Sequence, residues 1–171
     1  MAKKTIYALS TFFGQSAVAI VRISGTQSHK VASKLCNLKK IKPRYAHFCK
    51  LHDKKGEVFD EAIAIFFKSP ISFTGEDVLE IHTHGGIYVI KKLMDELAKF
   101  TGLQMAKPGE FSERSFLNQK RNLIYFEGIN NLISAESEKQ LNIAKKQVFS
   151  LQENPVQKWK DKIQESKAIL N

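Results

Sequence analysis

The run Ser72-Phe73-Thr74-Gly75-Glu76-Asp77-Val78-Leu79-Glu80-Ile81-His82-Thr83-His84-Gly85-Gly86 is the densest group of chemistry-bearing side chains in the chain. A strand beginning at Val78 puts alternate residues on one face, so Glu80, His82 and His84 point one way and Leu79, Ile81 and Thr83 the other. That cluster admits several chemistries. His-x-His with a carboxylate is competent to ligate a metal, but His29, His47 and His52 add no third ligand at a meaningful spacing, so no metal site is assigned. A carboxylate projecting from a strand also accepts two N–H bonds from an amino-pyrimidinone edge, the face of a pterin or a guanine. Buried there, it discriminates between ligands, because an unmatched one leaves it unpaired. The plain alternative is a set of polar residues at a strand's end.

Two cations stand out beside that cluster. Arg22 lies within Ala17-Val18-Ala19-Ile20-Val21-Arg22-Ile23, a run otherwise suited to burial on both faces. An arginine there needs a partner or a solvent-filled cleft, because a buried unpaired charge is costly; otherwise it snorkels outward at a sheet edge. Lys120, in Phe116-Leu117-Asn118-Gln119-Lys120, falls where one helical pattern hands over to the next, which on its own reads as a solvated linker lysine.

Missing motifs exclude other chemistries. The 171 residues contain no G-x-x-x-x-G-K-[ST] loop for cradling phosphates, no G-x-G-x-x-G and no G-x-S-x-G. No apolar run approaches the roughly 20 residues of a membrane span, and Met1-Ala2-Lys3-Lys4 leads into a strand pattern rather than a signal-peptide core. Cys36 and Cys49 have no CxxC partner, as expected of reduced cytoplasmic thiols, although spacing alone leaves a disulfide open. With 43% hydrophobic and 26% charged residues the chain reads as globular, one domain or one plus an appendage. The net charge is +10, and residues 30–55 carry nine Lys/Arg against the single acid Asp53. That segment attracts an anionic partner such as RNA or is simply a solvated basic surface.

The elements that must position these residues fall into two regimes. Up to about residue 108, strand and helix patterns alternate; from about 109 the pattern is helical. Strands are predicted at 5–10, 17–23, 45–52, 57–67, from 78 to 82 and at 103–106. Ser28 is expected to cap a short helix carrying Val31 and Leu35. The run Glu61-Ala62-Ile63-Ala64-Ile65-Phe66-Phe67 suits a strand covered on both faces. Gly85-Gly86 releases a helix with Ile90, Leu93, Met94 and Leu97 on one face, and Pro108-Gly109-Glu110 opens another. Apolar spacing from Leu123 through Ile129, Leu132, Ile133, Ala144, Val148 and Leu151 predicts a long amphipathic helix. Asn154-Pro155 interrupts it, and Trp159, Ile163 and Leu170 begin a new apolar stripe, which needs a packing partner.

Val21-Arg22-Ile23-Ser24-Gly25, Phe73-Thr74-Gly75-Glu76-Asp77-Val78-Leu79-Glu80, His84-Gly85-Gly86 and Pro108-Gly109-Glu110-Phe111-Ser112-Glu113-Arg114-Ser115-Phe116-Leu117-Asn118 together strongly resemble the MnmE (TrmE) family. Lys42-Pro43-Arg44 and Leu132-Ile133-Ser134-Ala135 fit in the same order. The resemblance implies an α/β domain with a mixed sheet, similar to the tetrahydrofolate-binding domain of aminomethyltransferases, over residues 1–118. Residues 119–171 would begin a central all-α domain, with the G domain and a terminal Cys-x-Gly-Lys motif outside this sequence. It further implies a homodimer, a tetrahydrofolate derivative (5-formyl or methylene) as one-carbon source, and a partner flavoprotein of the MnmG (GidA) type. The family activity is aminomethyl-type modification of the wobble uridine of tRNA, with GTP, Mg and K serving the G domain. By motif position the folate contacts fall on Arg22, Glu80 and Lys120, Glu80 holding the pterin edge and the two cations facing polar and anionic groups; no catalytic residue is assigned. Two positions depart from the family pattern: Phe12-Phe13-Gly14-Gln15-Ser16-Ala17 replaces a Pro-Pro-Gly-Arg-Gly-Gly type loop, and Asn118-Gln119-Lys120 replaces Asn-Gly-Lys. Rival readings are a stand-alone folate-dependent one-carbon transferase and a non-catalytic RNA-binding or assembly module built on residues 30–55.

Overall fold

The computed structural model describes residues 4–149 together with 159, 162, 163, 165 and 166. Leu151, Asn154-Pro155 and Leu170 lie outside the described residues. The chain divides into two compact units, Met1–Lys120 and Arg121–Asn171.

In the first unit, β1 (Thr5–Leu9) and β2 (Ser16–Ser24) form a hairpin, followed by α1 (Ser28–Leu35). A second hairpin, β3 (His47–His52) and β4 (Val58–Phe67), precedes β5 (Val78–Gly85), α2 (Ile87–Ala98), β6 (Leu103–Met105) and α3 (Glu110–Leu117). The six strands form one mixed sheet in the order β3-β4-β5-β2-β1-β6. Its pairs are antiparallel except β1 with β6, which run parallel because α2 carries the chain across to the far edge.

Period-2 alternation assigns the two faces of that sheet. Ala19, Val21 and Ile23 of β2, Leu79 and Ile81 of β5, and Ala62, Ala64 and Phe66 of β4 are buried. Most of them join Val31 and Leu35 of α1 and Leu93 and Leu97 of α2 in one core, so both helices cover one face. The opposite face presents Val18, Ile20 and Arg22 of β2 and Glu80, His82 and His84 of β5. It is open enough that Val18 and Ile63 are about half exposed.

Three expectations are corrected. β4 has strands on both sides but a packed core on one face only: Ala62, Ala64 and Phe66 are buried while Ile63 is 43% exposed. Unbroken apolarity marked an exposed apolar stripe rather than a second packed layer. Ser28 does not cap α1. The N-cap is Gln27, and the Ser28 hydroxyl instead donates to the carbonyls of Gly25 and Asp77. The long helix from Leu123 is two helices in the second unit, α4 (Leu123–Ile133) and α5 (Glu138–Phe149). The break falls at residues 134–137, where the Ser137 hydroxyl accepts the Gln140 N–H and restarts the helix. Gly128 lets the two helices close: a Cβ there would stand 2.9 Å from Val148 Cγ2 and from Gln147 Cβ.

α3 ends in a Schellman motif. The Gln119 N–H donates to the Phe116 carbonyl and the Lys120 N–H to the Ser115 carbonyl, with Gln119 left-handed at φ 55°. Glycine in the Asn-Gly-Lys pattern suits this position because it adopts a positive φ without a Cβ clash. Gln119→Gly is therefore expected to stabilise the unit by about 0.5–1 kcal/mol. A urea midpoint that falls in this variant would show that the glutamine side chain holds the turn instead.

Candidate functional site

The antiparallel register of β2 and β5 sets Arg22 directly opposite Glu80. Both Arg22 Nε and Arg22 Nη2 lie 2.8 Å from Glu80 Oε1. The arginine in the apolar run thus finds its partner across the open face, 58 residues away in sequence. Both side chains are largely covered, with 26% and 16% of their surface exposed, so the charge-assisted contact is worth more than a surface ion pair.

The pair leaves acceptor capacity on Glu80 unused. Glu80 Oε1 takes both arginine contacts, while Glu80 Oε2 faces His82 Nε2 at 3.7 Å, beyond hydrogen-bond length. His82 Nε2 is buried and has no hydrogen-bond partner among the described residues. Phe73 and Phe111 flank the arginine, with ring centroids 5.3 and 5.8 Å from the Arg22 guanidinium carbon. A carboxylate held at one oxygen, an orphaned imidazole nitrogen and two aromatic faces together suit a flat, amino-bearing heterocycle.

Lys120 reaches this neighbourhood through the loop before β5. Its Cγ and Cδ pack against Gly75, where an added Cβ would lie 3.2 Å from each, and φ at Gly75 is +77°. Phe73 of the same loop touches Arg22, so one short segment connects Lys120 with the Arg22–Glu80 pair. Arg22 and Glu80 are brought into contact; Lys120 is placed beside their loop and makes no ion pair with either.

The loop is itself stapled to α3. Arg114, 3% exposed, donates from Nη1 to Glu76 Oε2 at 3.0 Å and from Nη2 to Glu110 Oε1 and the Lys4 carbonyl, each at 2.9 Å. Ser115 Oγ donates to the Phe73 carbonyl at 2.6 Å and Asn118 Nδ2 to the Thr74 carbonyl at 2.7 Å. The buried hydroxyls of Ser24 and Thr74 are 2.7 Å apart, and Ser24 donates onward to Glu76. Most of the Phe-Thr-Gly-Glu-Asp and Pro-Gly-Glu-Phe blocks therefore build the frame that holds Phe73 and Phe111 over Arg22. Burial opposes ionisation of Glu110, but the Lys107 N–H and Arg114 outweigh it and hold the carboxyl below its usual range.

Reading the sequence alone missed Phe73, Phe111 and Arg114 as site-building residues. The available signal was Glu110 four residues before Arg114, an (i, i+4) pair on one helix face. Farther along the open face, Asp60 accepts from His84 through Oδ1 to the ring Nδ1 at 2.7 Å and through Oδ2 to the backbone N–H at 3.0 Å. That hydrogen bond and the charge of Asp60 raise the His84 pKa. The pair supports the fold at pH values below the unfolded histidine pKa and stops doing so as pH rises through the raised folded value. Among the described residues no group of three or more His, Cys, Asp or Glu converges on a metal position. None of their helices is long and apolar enough to cross a membrane. Cys36 and Cys49 are free thiols, both buried in the core, and the Cys49 thiol donates to the Ala62 carbonyl.

The family described as GTP-binding protein TrmE N-terminus matches residues 5–120. The chain is 45% identical over 160 residues to the tRNA modification GTPase MnmE of Wolbachia sp. subsp. Drosophila simulans (strain wRi), covering 94% of this chain and 36% of that protein. It is 46% identical over 159 residues to the protein of the same name from Ehrlichia chaffeensis (strain ATCC CRL-10679 / Arkansas), covering 93% and 36%. Against that of Campylobacter concisus (strain 13826) the identity is 44% over 135 residues, covering 79% and 30%. The chain thus spans about a third of the length of these curated relatives. The match covers the whole frame that joins the loop before β5 to α3, and on it the chain belongs to the MnmE (TrmE) family of tRNA modification GTPases, of which it carries the TrmE N-terminus.

Proposed function

We propose that this chain is the folate-binding, dimer-forming front part of a tRNA modification GTPase. It takes a tetrahydrofolate derivative, 5-formyl or methylene, as the one-carbon source for aminomethyl-type modification of the tRNA wobble uridine. The observation that carries this reading is the Arg22–Glu80 pair with the orphaned His82 Nε2 beside it. Arg22 holds one carboxylate oxygen, which orients Glu80 so that its remaining lone pairs accept N–H groups from the amino-pyrimidinone edge. His82 Nε2 supplies a further hydrogen-bonding atom at that edge, and the flanking phenylalanine rings supply apolar faces for the flat heterocycle. Lys120, beside Gly75, supplies positive charge to the polar and anionic groups of the folate. The folate delivers the one-carbon unit; these side chains bind and orient it.

Dimer formation uses the open sheet face, on which Val18, Ile63 and Phe48 expose apolar surface (Phe48 by 67%). A flavoprotein of the MnmG type and the tRNA complete the reaction in the cytoplasm. GTP, Mg and K act at a G domain, for which these residues contain no phosphate-cradling loop. Glu80→Gln and Arg22→Ala are each expected to weaken binding of 5-formyl-tetrahydrofolate at least tenfold, or about 1.4 kcal/mol, by isothermal titration. Unchanged affinity in both variants would remove the site.

A further inference from the structure

Nine lysines and arginines crowd residues 30–55, but the fold does not treat them alike. Arg44 donates to the Ile71 carbonyl at 2.7 Å, Lys50 faces Glu61 at 3.8 Å and Lys42 lies over the Tyr45 ring. Lys30 and Lys34 of α1 and Lys54 of the β3–β4 turn are exposed and make no ion pair or hydrogen bond among the described residues. These three converge on a cavity of about 480 Å³ that α1, the β3–β4 turn and the end of α2 enclose.

The floor of that cavity is already neutralised. Glu96, 2% exposed, is paired with Lys99 and Lys92, and Lys92 Nζ also lies 3.1 Å from Asp53 Oδ2. Burial opposes ionisation of both acids, yet Lys92 and the backbone N–H groups of Glu57 and Lys55 hold Asp53 below its usual range. Lys99 and Lys92 do the same for Glu96. Two cations thus answer two anions, and the free lysines are a surplus of three. The carbonyl ends of α1 and α2 each bring roughly half a negative charge, which leaves about two positive charges in excess. His52, which lines the same cavity, has a buried Nδ1 with no partner among the described residues.

We propose that this cavity binds a backbone phosphate of an RNA. Lys30, Lys34 and Lys54 would neutralise the phosphate and its neighbours along the strand, and His52 Nδ1 would complete its hydrogen bonds. The choice of RNA rests on the reading of this chain as part of a tRNA modification enzyme; the anion site itself rests on the charge surplus and His52. It is built from elements other than those that carry Arg22 and Glu80.

The test is fluorescence anisotropy of the 171-residue chain with a labelled unmodified tRNA across a salt series. Lys30→Ala/Lys34→Ala/Lys54→Ala is expected to weaken binding at least tenfold near 0.1 M salt and to lower the salt slope by about 2–3. Its affinity for 5-formyl-tetrahydrofolate should be unchanged, which separates failure here from failure of the folate site. Lys68→Ala/Lys91→Ala/Lys107→Ala removes the same charge at exposed positions elsewhere and is expected to cost less than threefold. Equal losses in the two triple variants would mean a diffuse field and overturn the site, as would an unaffected slope. Binding of inorganic phosphate, seen as a shift of the His52 ring resonances, without any binding of tRNA would also overturn it.

Discussion

Arg114→Ala is expected to cost the Met1–Lys120 unit about 3–5 kcal/mol of stability, because it strands two carboxylates in a covered site. Arg114 is 3% exposed, and the side chains of Glu76 and Glu110 are 17% and 12% exposed, so water cannot readily replace the guanidinium. Arg114→Met separates charge from bulk. It keeps an apolar stem of similar length yet should be destabilised nearly as much, since both acids stay unpaired. The deficit should also depend on pH in a defined direction. Arg114 helps hold Glu110 below its usual range, and that stabilisation is present above the unfolded glutamate pKa and lost as pH falls through the folded one. The gap between wild type and either variant should therefore narrow as pH falls from 7 toward 4. Urea denaturation at several pH values measures it; a constant gap, or a loss below about 1 kcal/mol, would mean that Arg114 acts through packing alone.

This dependence on a buried cation explains why some of the molecule could be read from sequence and some could not. Strand alternation around Val78 placed Glu80, His82 and His84 on one face, because period 2 is a local property of the backbone. The demand that Arg22 find a partner was also local. The partner's identity was not, since it depends on the register between β2 and β5, which a one-residue slip would have destroyed. Arg114 escaped notice for the same reason. In the polar stretch Ser112-Glu113-Arg114 nothing signals burial until the loop before β5 folds over α3 and its carbonyls accept from Ser115 and Asn118.

The second unit shows the converse error. Apolar spacing from Leu123 onward kept a helical period across residues 134–137, where no glycine or proline marks a stop. Ser137 breaks and restarts the helix through a side-chain hydrogen bond, a signal that serine alone carries weakly. Gly128 reads as a poor helix former in isolation, yet its missing side chain is what admits Val148 of α5. In the basic segment, counting charges located a surplus but could not tell the tied cations from the free ones. That distinction depends on the Ile71 carbonyl, Glu61 and the Tyr45 ring, which hold Arg44, Lys50 and Lys42, and on Lys92 of α2, which takes the segment's one acid, Asp53.

Gly25→Ala is expected to be a severely damaging single-methyl addition in the first unit, lowering stability by about 2–5 kcal/mol. Gly25 follows β2 at φ +131°, a conformation that L side chains rarely adopt, and its N–H donates to the Asp77 carbonyl at 2.9 Å. An added Cβ would stand 2.6 Å from Thr5 Oγ1 and 2.8 Å from Thr5 Cα. Thr5 cannot retreat cheaply: it is 1% exposed at the start of β1, between β2 and β6, and its hydroxyl accepts the Gln27 N–H that begins α1. One methyl group would thus strain the backbone, push on a buried strand and disturb the entry to a core helix. Gly56→Ala isolates the first of these costs, because Gly56 sits at φ +84° with nothing within 4 Å of an added Cβ. It should lose only about 1 kcal/mol from its backbone conformation. The difference between the two variants, read from urea midpoints at constant slope, measures how tightly β1 is held against the end of β2. Equal losses would show that Thr5 yields freely and that the junction of β1, β2 and α1 is far less rigid than its contacts imply.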